Sequence, residues 1–498
     1  MLRTFTRRMS SEGGRKTYDV VVAGGGLIGA SMAALAAGIS RPSSAPLRVA
    51  VVEGREREAI AKAGKASLEE KLVGPTRVLA VSPGSAEVLT RVGAWAGPEG
   101  VGQHAGHYTG MQVWDGVGKG GLAFDAADAA IPELGAIIPN AAVEARIYDV
   151  LDSIENVDVY TSTNLHSIAR DGKRSVHVSI GDLDVQTPLL IGSDGPGTAV
   201  GKAASIERFS LAYDQHGVIA DLHLDRPTET AFQVFLESGP LAILPMGGNR
   251  ASLVWSLPPE VAAEKRGLDP DVFAAQIQAA LHAAGSGKKE HHNDVFGTAA
   301  HYLANVLAPT GEPGSGLGSL GCGSSFSMDR VPNVVGVTEG TVASWPLSFG
   351  LAAKYAAPRM VLIGDAAHTV HPLAGQGANL GFGDINTLTK VLAEAVAAGD
   401  DIGDLSVLQR YERKRKPLNT LMATSFDLIK RLFGESHPLV VAARSAGMSA
   451  FGSIPFLRAQ AMAFAAGKYE DLEIDLSRVP AQAQAAVKGV VDVVKQIR

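Results

Sequence analysis

One stretch of the chain is dense in groups that could do chemistry: Arg359-Met-Val-Leu-Ile-Gly364-Asp365-Ala-Ala-His368-Thr-Val-His371-Pro372-Leu-Ala-Gly375-Gln-Gly377-Ala-Asn379-Leu-Gly381-Phe-Gly383-Asp384. The apolar run before Gly364 reads as a buried strand over 360–364. It would set the Asp365 carboxylate at the carboxyl edge of a sheet, where open α/β folds bind ligands. Gly375-x-Gly377 exposes backbone N–H groups and opens a helix near Ala378, whose N-terminal dipole favours negative charge on a ligand. A second group is Gly24-x-Gly26-x-x-Gly29, which follows a strand and opens a helix. There the first glycine makes a tight turn, the second lets backbone approach a pyrophosphate, and the third lets helix and strand pack closely. The helix start then stabilises the phosphate charge. Glu53 ends the next strand, where a carboxylate can bond ribose hydroxyls. A further match, Gly316-x-Gly318-x-x-Gly321, has no strand before it and no acid at the right place, and reads as loop. One good dinucleotide fingerprint without a second for a nicotinamide fits a tightly held flavin.

His368-x-x-His371 has helical metal spacing but no third ligand, so no metal is expected. His291-His292 reads as a solvated loop pair. No Gly-x-Ser-x-Gly elbow occurs, and no side-chain nucleophile or other catalytic side chain is assigned.

These groups need a scaffold. The chain has 498 residues, 46% hydrophobic and 19% charged, enough for two to four structural units and too apolar for bulk disorder. A net charge of −6 argues against nucleic acid as a partner. A single cysteine, Cys322, excludes an internal disulfide. Residues 18–23 and 48–53 read as buried strands, 27–37, 82–92 and 142–154 as helices, and 189–192 as a strand ending at Ser193-Asp194-Gly195. Between 205 and 345 the pattern turns antiparallel, with strands at 217–224, 231–236, 241–245 and 251–257 and turn residues between them, Gly239-Pro240 among them. Trp255 and Phe235 read as sheet core, with lining of an aromatic pocket as the alternative. The expected fold class is α/β: a Rossmann-like, three-layer FAD-binding domain with an antiparallel-sheet substrate domain and C-terminal helices. The divisions are 18–205 with 346–420 for the cofactor unit, 206–345 for the sheet unit, and 421–498 for the helical segment. Residues 1–17 carry Arg3, Arg7 and Arg8 and no acid before Glu12, the pattern of an organellar transit peptide, which the resemblance below makes mitochondrial. Residues 309–325 read as a Gly/Ser/Pro loop.

Taken in order, Gly24-x-Gly26-x-x-Gly29, Ser193-Asp194-Gly195 and Gly364-Asp365 resemble the three fingerprints of the single-component flavin aromatic hydroxylases, relatives of para-hydroxybenzoate hydroxylase. Arg77–Ser85, Gly93-Ala-Trp95, Met111–Asp115, Phe235–Pro245, Ser252–Ser256 and His371–Gly377 narrow the resemblance to the mitochondrial ubiquinone-biosynthesis flavin monooxygenases, from about Tyr18 to Lys468.

That resemblance implies FAD as cofactor and a set of contacts. Gly24, Gly26, Gly29 and Glu53 would hold the ADP half, with Asp194 and Gly364 in the two further fingerprints. Arg77 and Arg146 would approach the cofactor from the sheet side. Asp365 would bind the ribityl and pyrophosphate region, and Pro372, Gly375, Gly377 and Asn379 would lie along the isoalloxazine. The pattern departs from the family at Thr198, which replaces a serine, and at Gly201-Lys202, where an arginine usually stands. The implied reaction is ring hydroxylation of a polyprenylated 4-hydroxybenzoate-type phenol by molecular oxygen through a flavin C4a-hydroperoxide. The cofactor carries the hard chemistry, and the protein orients it and excludes water. A ferredoxin and its reductase are the implied electron donor, with other quinone-biosynthesis proteins as partners. The implied location is peripheral, on the matrix side of the inner membrane, with helices in 436–466 (Leu439, Val440, Val441, Phe451, Ile454, Phe456, Leu457) docking there. Two alternatives remain open: a flavin hydroxylase of a soluble aromatic using NADPH, and a non-catalytic flavin-fold subunit of a biosynthetic complex. Residues 469–498 carry a Val/Ile stripe (Val487, Val490, Val491, Val494, Ile497) with no family counterpart.

Overall fold

The computed structural model describes residues 15–41, 45–69, 74–118, 120–171, 174–283 and 327–453, with a few positions between 458 and 467. Residues 1–14 of the Arg-rich start, His291-His292, the 309–325 loop with its false fingerprint, Cys322, Ile454, Phe456, Leu457 and the 469–498 stripe lie outside the described residues.

Ten helices carry labels here: α1 (Leu27–Ala37), α2 (Arg57–Leu68), α3 (Pro83–Val92), α4 (Asn140–Ser153), α5 (Ala199–Ala203), α6 (Pro259–Arg266), α7 (Pro270–Ala283), α8 (Gln376–Ala398), α9 (Leu405–Gly434) and α10 (Pro438–Ser453). The cofactor unit is built on a six-stranded sheet. Val157–Tyr160, Val49–Val52, Val20–Ala23, Leu189–Gly192 and Met360–Leu362 run parallel, and Ala356–Ala357 closes one edge antiparallel. Every residue of Val20–Ala23, Val49–Val52 and Leu189–Gly192 is buried, as continuous apolar strands in a covered parallel sheet must be. Helix α1 has almost no polar face, so it is buried nearly all round, as its run of small residues allows. Side chains of α1, α4, α8 and an antiparallel meander (Leu165–Asp171, Ser175–Ile180, Leu183–Thr187) join the parallel strands in one apolar core.

The second sheet has nine strands and reaches beyond 206–345 at both ends. The hairpin Gly110–Asp115/Gly121–Asp125 joins it by parallel pairing of Gly110–Asp115 with Thr230–Leu236, although it lies inside the 18–205 span. Ala343–Ala352 and His368–Thr369 extend the other side. The first sheet-unit strand begins at Arg208 rather than 217, and Gly239-Pro240 opens the strand Gly239–Pro245 instead of forming a free turn. Along that strand, buried and part-exposed residues alternate. Leu241 and Ile243 point to a core shared with Trp255 and with Phe273 and Ile277 of α7. Pro240, Ala242 and Leu244 therefore point to the opposite face.

Trp255 is thus sheet core. Phe235 lies on the other face, in an apolar cluster with Met111, Val113, Leu373, Phe433 and Met448, and stacks on Phe433 at 4.0 Å between ring centroids. Arg444 of α10 ties that corner to the sheet through a fully buried pair with Asp115 (2.7 and 2.9 Å) and by donating to the Leu432 and Phe433 carbonyls.

Candidate cofactor site

The three glycines of the first fingerprint are needed for three different reasons. Gly24 takes a left-handed φ of +92°. A Cβ on Gly29 would stand 1.9 Å from the Gly24 carbonyl oxygen and 2.3 Å from Ser193 Oγ, so the helix and the turn touch backbone to backbone. A Cβ on Gly26 would meet nothing within 4 Å, so this position faces open space. Ser193 Oγ donates to the Ala23 and Gly24 carbonyls at 2.9 and 2.7 Å, fastening the second fingerprint to the first. Asp194 accepts from the Ala199 N–H at 2.7 Å through one oxygen. Thr198, the departure from the family pattern, caps α5 by accepting from the Gly201 N–H at 3.1 Å.

Glu53 closes the strand beside this turn. Arg55 donates to it from its backbone N–H and from Nε, both at 2.9 Å, and also bonds Glu144 of α4 at 2.8 Å. Burial pushes the Glu53 carboxyl up, but the Arg55 contacts outweigh it and hold the group below its ordinary range. Tyr148 donates to the Gly25 carbonyl at 2.9 Å. Helix α4 therefore presents Glu144 and Tyr148 to this corner. Arg146, on another flank, pairs with Glu99 at 2.9 Å.

At the third fingerprint the strand stops at Leu362, two residues short of the expected end, because Gly364 turns left-handed at φ +58° into a short 3-10 turn. Asp365 is solvent-exposed just after this turn begins. Its carboxyl is raised by the surrounding protein, against the pull of His368, Arg77 and Arg208. Arg77 lies with its guanidinium 4.9 Å from the Trp345 ring centroid. Gly375, at φ +64°, ends the Pro372–Gly375 loop and starts α8, whose first turn carries no acid. Asn379 spends its amide on protein. Its oxygen accepts from the Ser82 N–H (3.1 Å) and Ser85 Oγ (2.7 Å), and its nitrogen donates to the Ala80 carbonyl (2.8 Å). It holds the start of α8 against α3.

Behind Asp365 sits a network that sequence reasoning missed. Asp384 of α8, fully buried, accepts from the Gly364 N–H (3.0 Å), Arg415 Nε (2.9 Å) and Asn419 Nδ2 (2.9 Å), and is bonded to His368 Nε2 at 2.6 Å. Burial alone would raise this carboxyl. His368, Arg415 and Asn419 together hold it well below the usual carboxylate range. Arg415 and Asn419 stand four apart on α9, one turn, so one helix face delivers both. They lie more than thirty residues from Asp384 in sequence, and no local motif marks them. His368 is committed to this network, and among the described residues no group of three His, Cys, Asp or Glu side chains could hold a metal ion.

Two carboxylates held low make a pH prediction. In the unfolded chain Glu53 and Asp384 titrate near about 4. Their folded pKa values are depressed, so the stability they contribute is present above that pH and lost as pH falls through and below it. Urea unfolding should show a midpoint that drops between about pH 5 and pH 3. An Asp384→Asn chain should lose less of its remaining stability across the same window, and an unchanged slope would remove Asp384 from this account.

The residues present fit FAD. Gly26, Gly195 and Gly197 face open space, while the buried atoms Asp194 Oδ1 and Gln376 Oε1 have no hydrogen-bond partner among the described residues. Orphaned polar atoms of this kind cost free energy unless a ligand satisfies them.

Comparison with known proteins agrees with this reading. The sequence profile of the FAD binding domain family matches residues 331–425. The chain is 35% identical over 475 residues to the human protein named ubiquinone biosynthesis monooxygenase COQ6, mitochondrial, covering 92% of this chain and 94% of that one. It is 34% identical over 467 residues to the zebrafish (Danio rerio) protein of the same name, covering 92% and 91%. Among solved structures it resembles PqsL of Pseudomonas aeruginosa (TM-score 0.61, 19% identity, 87% of this chain and 100% of that one). It also resembles p-nitrophenol 4-monooxygenase PnpA of Pseudomonas putida DLL-E4 (TM-score 0.62, 15% identity, 91% and 98%). At these identities the structural likeness speaks for the fold.

Proposed function

The chain belongs to the COQ6 family of ubiquinone biosynthesis monooxygenases and is an FAD-dependent aromatic-ring monooxygenase, and from that premise we propose that it hydroxylates the ring of a polyprenylated 4-hydroxybenzoate-type precursor of ubiquinone. The observation that carries the substrate reading is the apolar cluster in which Leu373, from the cofactor loop, meets Met111, Phe235 and Phe433. An apolar body of this kind beside the cofactor loop suits a substrate with a long apolar tail better than a small soluble phenol.

When bound and reduced, FAD supplies the activation of molecular oxygen that ring hydroxylation needs. The chain's residues do the rest. The acid-free start of α1 receives the pyrophosphate, with Gly26 leaving room for it. Glu53 would take ribose hydroxyls beside its bonds to Arg55. Asp194 offers its free oxygen nearby, and Asp365 takes donors from the middle of the cofactor. Gly364 and Asp384 fix where Asp365 stands. The loop from Pro372 to Gly377 would border the flavin ring, and the start of α8 would favour negative charge on its reduced form. Asn379 positions that loop. Arg77 contributes positive charge beside Asp365, and Arg146 steadies the outer flank. The apolar cluster around Leu373 keeps water away from the oxygen chemistry.

Electrons come from a ferredoxin and its reductase. The chain works in the mitochondrion, peripherally on the matrix side of the inner membrane beside other quinone-biosynthesis proteins. The Arg-rich start and the names of the relatives support the organelle, and no described helix is long and apolar enough to cross a membrane. The test is to purify the yellow protein and reduce it with a ferredoxin and reductase pair or with NADPH alone, under labelled O2, beside a prenylated 4-hydroxybenzoate. One labelled oxygen on the ring, formed with the ferredoxin pair, is the expected product. Efficient turnover of small soluble phenols with NADPH alone would replace this reading with the soluble-aromatic one, and a colourless protein would overturn it.

A further inference from the structure

The corner between α9 and α10 carries an exposed apolar surface that the reaction at the cofactor does not use. Eight large apolar side chains are exposed among the described residues, and four of them, Leu428, Ile429, Leu432 and Leu439, fall between residues 428 and 439. Leu428 is 65% exposed and Leu439 55%. Leu421, Leu428 and Leu432 fall on one stripe of α9, at i, i+7 and i+11. Two more exposed residues, Phe209 and Leu211, lie on the strand that brings Tyr213 to Asp427 of α9 (3.0 Å).

Charge identifies the occupant. Helix α9 holds seven Lys or Arg against two Asp or Glu in a chain whose net charge is −6, and all of these cations but Arg415, buried against Asp384, lie outside the core. Arg413, Lys414 and Arg431 are exposed along it. A second copy of the chain would set this positive helix against itself, which like-charge repulsion opposes. A surface with leucines among cations fits the headgroup and acyl boundary of an anionic bilayer. The inner side of the same corner points to the site. Phe426 and Phe433 of α9 and Met448 of α10 belong to the cluster that includes Leu373 of the cofactor loop. The corner is therefore apolar on both its outer and its inner face.

We propose that the α9–α10 corner docks on an anionic lipid bilayer, with Leu428, Leu432 and Leu439 entering the interface, so that an apolar-tailed substrate passes from membrane to site along the inner face of α9. The second half of this statement rests on the substrate reading above. The test uses the full chain with FAD bound and vesicles of phosphatidylcholine with or without about one quarter phosphatidylglycerol. The wild-type chain should co-sediment with the anionic vesicles, and less so as salt rises. A Leu428→Glu/Leu432→Glu chain should bind them about tenfold more weakly or worse, while keeping its flavin spectrum and its turnover of a short-tailed phenol in buffer. An Arg413→Glu/Lys414→Glu chain, which leaves the apolar stripe alone, should lose the preference for anionic over neutral vesicles. Unchanged vesicle binding by both folded variants overturns the proposal, as does wild-type chain that self-associates through this face without binding vesicles. Vesicle binding that depends on the corner, in a chain that turns over no prenylated phenol, would leave the docking surface standing and remove the substrate reading instead.

Discussion

Gly29→Ala is expected to yield a chain that retains no FAD and unfolds at markedly lower urea, while Gly26→Ala is expected to fold normally and lose only cofactor affinity. The two glycines sit three residues apart in one motif, and the structure separates their reasons. A methyl at 29 would stand 1.9 Å from the Gly24 carbonyl oxygen. Backbone on both sides of that contact belongs to the buried parallel sheet and the buried helix α1, so neither can retreat cheaply. Overpacking at such a place costs about 3 kcal/mol or more, and it moves the turn that receives the pyrophosphate. At 26 the methyl meets no protein atom within 4 Å. It occupies space reserved for the ligand instead, and a loss of about tenfold or more in FAD affinity, roughly 1.4 kcal/mol, is the expected reading. Urea midpoints with and without added FAD, together with flavin content on purification, check both halves. A Gly26→Ala chain with full affinity would mean that no ligand approaches there.

The second large effect is at Asp384. Replacement by Asn keeps the shape and removes the charge that Arg415 and His368 face in a fully buried site. Breaking one side of a buried pair costs about 3–5 kcal/mol, because the remaining cation stays buried and uncompensated. The Gly364 N–H also loses its charged acceptor, so the turn presenting Asp365 should loosen. Lower stability and weaker flavin retention should therefore appear together. Asp384→Asn combined with Arg415→Gln should recover part of the stability, since the stranded charge is gone. Loss of less than about 1 kcal/mol in the single variant would show that the network is dispensable.

Much of this site could be read from the chain before any fold was known. Gly24, Gly26, Gly29, Glu53 and the Gly364-Asp365 step declare themselves locally, because a tight turn, a close backbone approach and a strand end each demand particular residues at short spacing. The parallel strands were legible for the same reason: unbroken apolar runs are what covered strands require. The hairpin Gly110–Asp125 was not, since its partner Thr230–Leu236 lies more than a hundred residues away and nothing local marks which sheet a strand will join. Arg55 and Tyr148 had weak signals, an arginine two residues past the strand-end acid and a polar member on the buried face of α4.

The cofactor class, the order of the three fingerprints and the alternation of strand and helix were legible in local residue patterns, because each is encoded in residues close enough to constrain one another's backbone. Other features had no local signal: Asp384, Arg415, Asn419 and His368 form one buried charge network, Trp255 faces the sheet core while Phe235 packs with Leu373 and Phe433, and α9 turns aromatic rings inward and leucines outward. Those outcomes depend on which surfaces meet after the chain has closed on itself. Burial and desolvation, which set the cost of every charge and the orientation of every apolar side chain, do not exist until it has.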